Sequence, residues 1–378
     1  MKNTDKIQLF EKTPIPKAVM TLAIPTVVSS LVMVIYNLAD TYFVGMLNDP
    51  IQNSAVTIAA PVLLAFNAVN NLFGVGSSSM MSRALGRKDY DTVYKSSAFG
   101  FYFALLFGCL FSVGYTLFSK NLLVVLGSDV QTFDATAEYL KWTTTFGAVP
   151  AILNVVMAYL VRSEGSALHA SLGTMSGCIL NIILDPVFIL PCGLNMGAAG
   201  AGLATFVSNC FACAYFFVLL YVKRRNTYVC INPKMLTVKK AIVVGVCAVG
   251  IPFNKRIAFG ICSVGIPAMI QNLLNVTGMT VLNNFTSSYG PDAVAAMGIA
   301  SKVNMIPLYI ALGVSQGIMP LVGYNYANGN TERLKKSISF TAMIALSFSL
   351  LVTCGYYFGA NGVVALFMKN ESVVHYGT

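Results

Sequence analysis

Apolar residues in this chain fall into long runs with polar residues confined to the gaps between them. From Ala18 to Ala39, for example, no residue is charged. A run of about 20 such residues is long enough, as a helix, to cross the hydrocarbon core of a bilayer. Nine runs of this kind occur, at 18–46, 54–82, 94–119, 141–162, 168–191, 197–222, 257–288, 293–321 and 337–360. The first is too long for a signal peptide and lacks its small-residue cleavage site, so it counts as a span. The pattern predicts an all-α polytopic membrane protein.

Composition agrees: 56% of residues are hydrophobic, 10% are charged and the mean hydropathy is +0.71. A soluble domain carries roughly 25% charged residues, so a soluble enzyme is excluded. The net charge of +10 changes the picture only through its placement. If nine spans alternate, 20 of the 24 Lys and Arg fall on one side, among them Lys2, Lys6, Arg83, Arg87, Arg162, eight between Lys223 and Arg256, and Arg333. Lys120, Lys141 and Lys369 fall on the other side. Such an asymmetry marks the cytoplasmic face. It predicts a cell-membrane protein with a cytoplasmic N-terminus and argues against a nucleic-acid groove.

Candidate chemistry outside the spans is sparse. Cys210 and Cys213 form a C-x-x-C in mid-helix with no second pair, and His169 and His375 have no ligand spacing. Both cysteines read as small packing residues. No G-x-x-x-x-G-K-[ST] occurs, so nothing binds ATP in the usual way. Work must draw on a gradient, and no organic cofactor or bound metal is expected.

The chain also resembles itself. "LAIPTVVSSLVMV" at 22–34 matches "VGIPAMIQNLLNV" at 264–276, and "SAVTIAAPV" at 54–62 matches "AAMGIASKV" at 295–303. "GVGSSSMM" at 74–81 echoes "GVSQGIMP" at 313–320, and "ALGRKDYDTVYKS" at 84–96 echoes "ANGNTERLKKS" at 327–337. Six spans separate the copies, so both enter the membrane in the same direction, a parallel repeat. The predicted division is an N-lobe of six helices (1–222), a basic cytoplasmic connector (223–256) and a partial C-lobe of three helices (257–378). Thr378 corresponds to about residue 138 of the first copy, so the second lobe is expected to stop three helices short and not to transport by itself. In the connector, "GVCAVGIP" at 245–252 nearly repeats as "GICSVGIP" at 260–267. That is either an amphipathic helix leading into the seventh span or a local duplication. Lys255 and Arg256 are expected to precede the span.

Only two of the 14 acidic residues, Asp40 and Asp185, lie well inside spans. An ionised Asp at the bilayer centre costs about 2.5–3.5 kcal/mol on insertion scales, and such residues face a bundle interior or a water cavity. Each lies six residues before the outer end of its span, and Thr205 lies eight residues into the next. At 1.5 Å per residue the three share a layer roughly 9–12 Å deep. Tyr36 and Asn37 share a helical face with Asp40, and Asn181 shares one with Asp185. Pro186 frees the carbonyl of Ile182 beside the carboxylate, and Asn154 adds an amide at greater depth. Two carboxylates with amides and a hydroxyl make a site for a proton or a hard cation such as Na⁺.

The paired lobes, "LAIP…YNLADTYFVG", "LNIILDPVFI" and "GAAGAGLATFVSN", closely resemble the multidrug and toxic compound extrusion (MATE) transporters, especially their DinF- and MepA-like branch. The resemblance implies a V-shaped bundle of two lobes exporting amphipathic, often cationic, compounds in exchange for H⁺ or Na⁺. The coupling site it implies is Asp40, Asn181, Asp185 and Thr205, with Tyr36 and Asn154 around it; the same four would hold Na⁺. Pro25 matches the proline at which the first helix is thought to bend. Another branch carries acids in the seventh helix. Here that span has Gln271, Asn275, Asn283 and Asn284, and Leu282 aligns with Asp40. Gln271, Asn275 and Lys302, nine residues into the eighth span, are candidates to line a cleft, although Lys302 serves a structural contact equally well.

Three rivals remain. A flippase for lipid-linked precursors of the same superfamily needs cationic residues in its cleft, and Lys302 alone is thin support. An intramembrane aspartyl protease needs a G-x-G-D partner motif, which is absent. A channel fits poorly with a two-lobe repeat and one off-centre acidic cluster. The reading is a secondary antiporter, not an enzyme. Its expected partners are small amphipathic organic compounds and the lipid bilayer, with no nucleic acid and no second subunit.

Overall fold

The computed structural model describes residues 3–47, 49–231, 255–287, 289 and 291–367, and all its regular elements among these are helical. A short helix α1 (Asn3–Glu11) precedes the long α2 (Ile15–Gly45), which starts with a proline in its first turn. The next span is a continuous run of α3 (Pro50–Val69), a π-helical turn (Asn70–Val75) and α4 (Gly76–Gly86). Asp49 caps it, accepting from Ile51 N at 2.9 Å, and Asp89 caps α5 (Tyr90–Val125), accepting from Thr92 N at 3.1 Å. Both satisfy helix N–H groups that would otherwise lack partners. Then come α6 (Phe133–Leu140), α7 (Ala148–Ser163), α8 (Ala167–Ile189) and α9 (Ala198–Val222). Beyond the connector follow α10 (Lys255–Ser287), α11 (Pro291–Ala327) and α12 (Thr331–Phe367).

Eight of these stretches are long and apolar enough to cross a membrane, and a bent pair makes a ninth. The bent pair is where structure and expectation part. In place of one span at 141–162, α6 runs through a π-helical turn (Lys141–Phe146) and meets α7 at 51°. Gly147 permits the bend: a Cβ there would sit 2.6 Å from the carbonyl oxygens of both Trp142 and Thr143. Pro150, in the first turn of α7, has no N–H for the Phe146 carbonyl. A second difference is smaller. The seventh span begins with Lys255 and Arg256 as its first turn instead of after them. The suspected duplication at 245–252 lies outside the described residues, as do 368–378.

The second, third, fifth and sixth spans pack around α7, whose Ile152, Val156, Met157 and Leu160 are fully buried. Small residues bring helices close, as expected where lipid supplies no hydrophobic drive for association. Gly173 of α8 lies under the Phe216 ring of α9, and Gly177 lies against Ala212.

The two groups of helices meet along the basic face. Gly313 and Gly317 of α11 lie against Val27, Thr26 and Ala23 of α2, Gly323 against Ser82, and Gly86 against the Tyr324 carbonyl. Gly260 and Gly265 of α10 pack on Met80 and Leu72. Toward the opposite face the contacts cease: Gly278 and Gly298 have nothing within 4 Å of a Cβ position. Ile35, Tyr42, Leu274 and Phe285 are exposed there. The close glycine contacts between the two groups thus lie toward the basic face.

Candidate functional site

The two spanning carboxylates sit on helices that do not follow each other in the chain, α2 and α8, which pack side by side and share a hydrogen bond between Ser29 and Thr174 at 2.6 Å. Asp185 is completely buried, and Asn181, one turn earlier, is 2% exposed. Asp40 is partly buried and interacts electrostatically with Asp185. Its Oδ1 is enclosed and finds no hydrogen-bond donor. A carboxylate oxygen in that state accepts a proton or a cation readily.

The Asn181 amide is oriented by its neighbours. With its nitrogen toward Asp185 it donates to both carboxylate oxygens, at 2.9 and 3.2 Å, while its oxygen accepts from Thr205 N at 3.0 Å. Turned over, the amide oxygen faces the carboxylate and the nitrogen reaches only Thr205 Oγ1, at 3.4 Å. An ionised carboxylate only accepts, so the first arrangement suits charged Asp185 and the second suits its protonated form. Tyr36 interacts with Asp40, with Asp185 and with the Thr205 side chain, which brings α2, α8 and α9 to one point.

One residue enters this cluster that the spacing did not suggest. Tyr139 of α6, 3% exposed, lies within electrostatic reach of Asp40, Tyr36 and Asp185. It was missed because the fourth span was expected to begin after it. Asn154 does not turn to the carboxylates; its amide donates to Asn209 Oδ1 at 2.7 Å. Asn209 is one turn beyond Thr205 on α9, on the same face. Asn37 also turns away, donating to the Met33 carbonyl at 2.8 Å.

Among the described residues no group of three His, Cys, Asp or Glu could hold a metal ion. The donor set at Asp40, Asn181, Asp185 and Thr205 is all oxygen apart from one amide nitrogen, the chemistry of a proton or an alkali cation rather than of zinc or copper. The other candidates lie apart from this cluster. Gln271 and Asn275 of α10 and Lys302 of α11 are exposed, and Pro25 lies within a continuous α2. There the Thr26 hydroxyl donates to the Leu22 carbonyl at 2.7 Å, next to the Thr21 carbonyl that Pro25 cannot serve.

Two acidic residues thus sit within a group of packed, membrane-length helices. The family model MatE matches residues 25–187 and 267–378. The chain belongs to the MATE family. This MATE transporter is 32% identical over 372 residues to the multidrug export protein MepA of Staphylococcus haemolyticus (strain JCSC1435), covering 98% of this chain and 77% of the relative. It is 31% identical to MepA of Staphylococcus aureus (strain NCTC 8325 / PS 47), over 99% of this chain and 78% of that protein. A solved structure described as the outward-facing conformation of a multidrug resistance MATE family transporter of the MOP superfamily superposes with a TM-score of 0.87 at 27% identity, covering 99% of this chain and 79% of the other. Like other MATE proteins it is a membrane transporter and not an enzyme.

Proposed function

We propose that this MATE transporter is a secondary multidrug efflux antiporter that exports small amphipathic, often cationic, organic compounds in exchange for H⁺ or Na⁺. The observation that carries this reading is the placement of Asp40, with its enclosed and unpartnered Oδ1, on a helix packed against the one that carries a fully buried Asp185 beside Asn181. In the empty site the two like charges repel across a medium of low dielectric. A proton or Na⁺ relieves that repulsion and draws α2 and α8 together, whereas losing it lets α2 move. Pro25, with its unserved carbonyl partner, is the natural hinge for that movement. Tyr36 and Thr205 carry the change to α9.

Alternating access then moves the two helix groups between the observed arrangement, joined at the basic face, and one joined at the opposite face. With the basic face cytoplasmic, an arrangement joined at that face is the outward-facing one, a reading supported by the similarity to a transporter solved in that conformation.

The test is efflux from proteoliposomes carrying a full-length version of the transporter, with H⁺ and Na⁺ gradients imposed separately. Asp40→Asn and Asp185→Asn are each expected to abolish gradient-driven efflux while protein yield stays near that of the parent. Parent-like transport by both variants would remove the coupling site from this reading.

A further inference from the structure

We infer that α1 is a strap that holds the two helix groups together at the basic face and must release its grip on the second group before that face can open. The inference rests on the alternating-access reading and adds a regulating element to it. The helix spans nine residues, Asn3–Glu11, and it is tied to both helix groups.

One set of contacts ties it to the first group. Lys6 Nζ donates to Glu164 Oε1 at 2.7 Å and to the Asn226 carbonyl at 2.8 Å. Glu164 also accepts from Ser166 Oγ at 3.0 Å, from Thr227 Oγ1 at 2.9 Å and from Tyr228 N at 2.6 Å. Both side chains of the pair are buried, at 2% and 4% exposure. The Phe10 ring covers Gly165, which has φ +86 and would place a Cβ 2.9 Å from that ring. Glycine serves both demands there.

The other set ties it to the second group. Phe10 stacks on Tyr324 of α11 at 5.0 Å between ring centroids. The Tyr324 hydroxyl donates to Glu11 Oε1 at 2.7 Å, and the Asn325 amide donates to the Phe10 carbonyl at 3.3 Å. Arg333 of α12 closes the set. Its Nε donates to the Phe10 carbonyl at 2.6 Å, and its Nη2 donates to the carbonyls of Leu9 at 3.2 Å and Thr13 at 2.5 Å. The last carbonyls of a helix have no intrahelical donor and carry the negative end of its dipole, so a planar guanidinium suits them well.

The two sets differ in how they can yield. Separating Lys6 from Glu164 would strand two buried charges. The acceptors of Arg333 are neutral carbonyls, and Arg333 itself is partly exposed, so water can replace them. The strap therefore stays with the first group and lets go at Arg333 and Tyr324.

The experiment places pairs of spin labels on the transporter in lipid nanodiscs, in a cysteine-depleted background, at Lys95 with Lys335, and at Lys12 with Lys95. Arg333→Gln is expected to raise the long-distance population of the Lys95–Lys335 pair roughly tenfold, equivalent to about 1.4 kcal/mol. Tyr324→Phe, which keeps the aromatic stack, is expected to shift the population in the same direction by less. The Lys12–Lys95 distance is expected to stay constant in every variant. Unchanged Lys95–Lys335 distributions in both variants would overturn the strap, and Tyr324→Phe decides alone if Arg333→Gln does not fold. Movement of Lys12 away from Lys95 would overturn the direction of release. Because the distances are read without efflux, failure of the coupling site and failure of the strap give different results.

Discussion

Asp185 has no access to solvent, and one amide supplies its donors. Removing that donor leaves a buried acceptor unsatisfied, which costs about 1–3 kcal/mol, more when the group is charged. Asn181→Ala should therefore disfavour the ionised carboxylate and shift the concentration of coupling ion giving half-maximal efflux by roughly tenfold. A titration of efflux against H⁺ or Na⁺ checks this, and an unmoved midpoint would make the amide a bystander. Tyr139→Phe probes the same cluster from α6. It removes one hydroxyl near both carboxylates, and is expected to change the ion dependence of efflux while the protein keeps its fold; an unaltered ion titration would exclude it from the cluster. Asp40, Asn181, Asp185 and Thr205 were legible in the sequence because charge in an apolar run is rare and helical spacing gives depth and face. Tyr139 was not, since an aromatic at a span border has the same pattern whether it packs on lipid or faces a carboxylate. The turn of Asn154 toward Asn209 was hidden for a related reason: spacing sets a face but not a rotamer.

At the scale of elements, the contact between α2 and α11 depends on having no side chain at Gly317. A Cβ there would lie 2.5 Å from Thr26 Oγ1, 2.8 Å from the Ala23 Cα and 2.8 Å from the Leu22 carbonyl. Two of those three atoms are backbone and cannot swing aside. Gly317→Val should force the helices apart beside Pro25, at an overpacking cost of about 1–3 kcal/mol, and lower the thermal midpoint in detergent. Gly278 of α10 is the contrasting case. Nothing lies within 4 Å of its Cβ position, so Gly278→Ala should raise the midpoint slightly, by the roughly 0.5–1 kcal/mol that glycine costs inside a helix. Equal effects of the two substitutions would show that the closely packed face does not control stability. Hydropathy revealed the long helices because a membrane demands length and an apolar surface. The bend at Gly147 escaped it, since a run of apolar residues reads the same whether straight or folded back on itself. The strap helix escaped it too, because α1 is short, polar and held by hydrogen bonds to residues 158 to 324 positions away.

For the molecule as a whole, the closed basic face contains a buried charge that no carboxylate among the described residues neutralises. Arg162, at the C-terminal end of α7, is 5% exposed, and its Nη1 donates to Gln316 Oε1 of α11 at 3.2 Å. The guanidinium lies 5.5 Å from the Tyr159 ring centre, and its Nε has no partner. Among the described residues no carboxylate pairs with it, because the neighbouring Glu164 is taken by Lys6. Burying a guanidinium with so few acceptors is unfavourable, and the cost disappears once the helix groups part and water reaches it. Arg162 thus bridges the groups through Gln316, and on the alternating-access reading proposed above its buried charge would work against their closure and keep the two arrangements close in free energy. A transporter needs that balance, since a ligand can shift an equilibrium only by its differential affinity for the two states. Arg162→Met keeps most of the volume and removes the buried charge. It is expected to hold or raise the thermal midpoint, to enlarge the population closed at the basic face and to slow efflux. Efflux rate and thermal midpoint measured on the same preparation decide the matter. A variant that loses stability and transport together would make Arg162 a plain structural tie, whereas slower transport by a protein at least as stable would show that its charge keeps the closed face able to open.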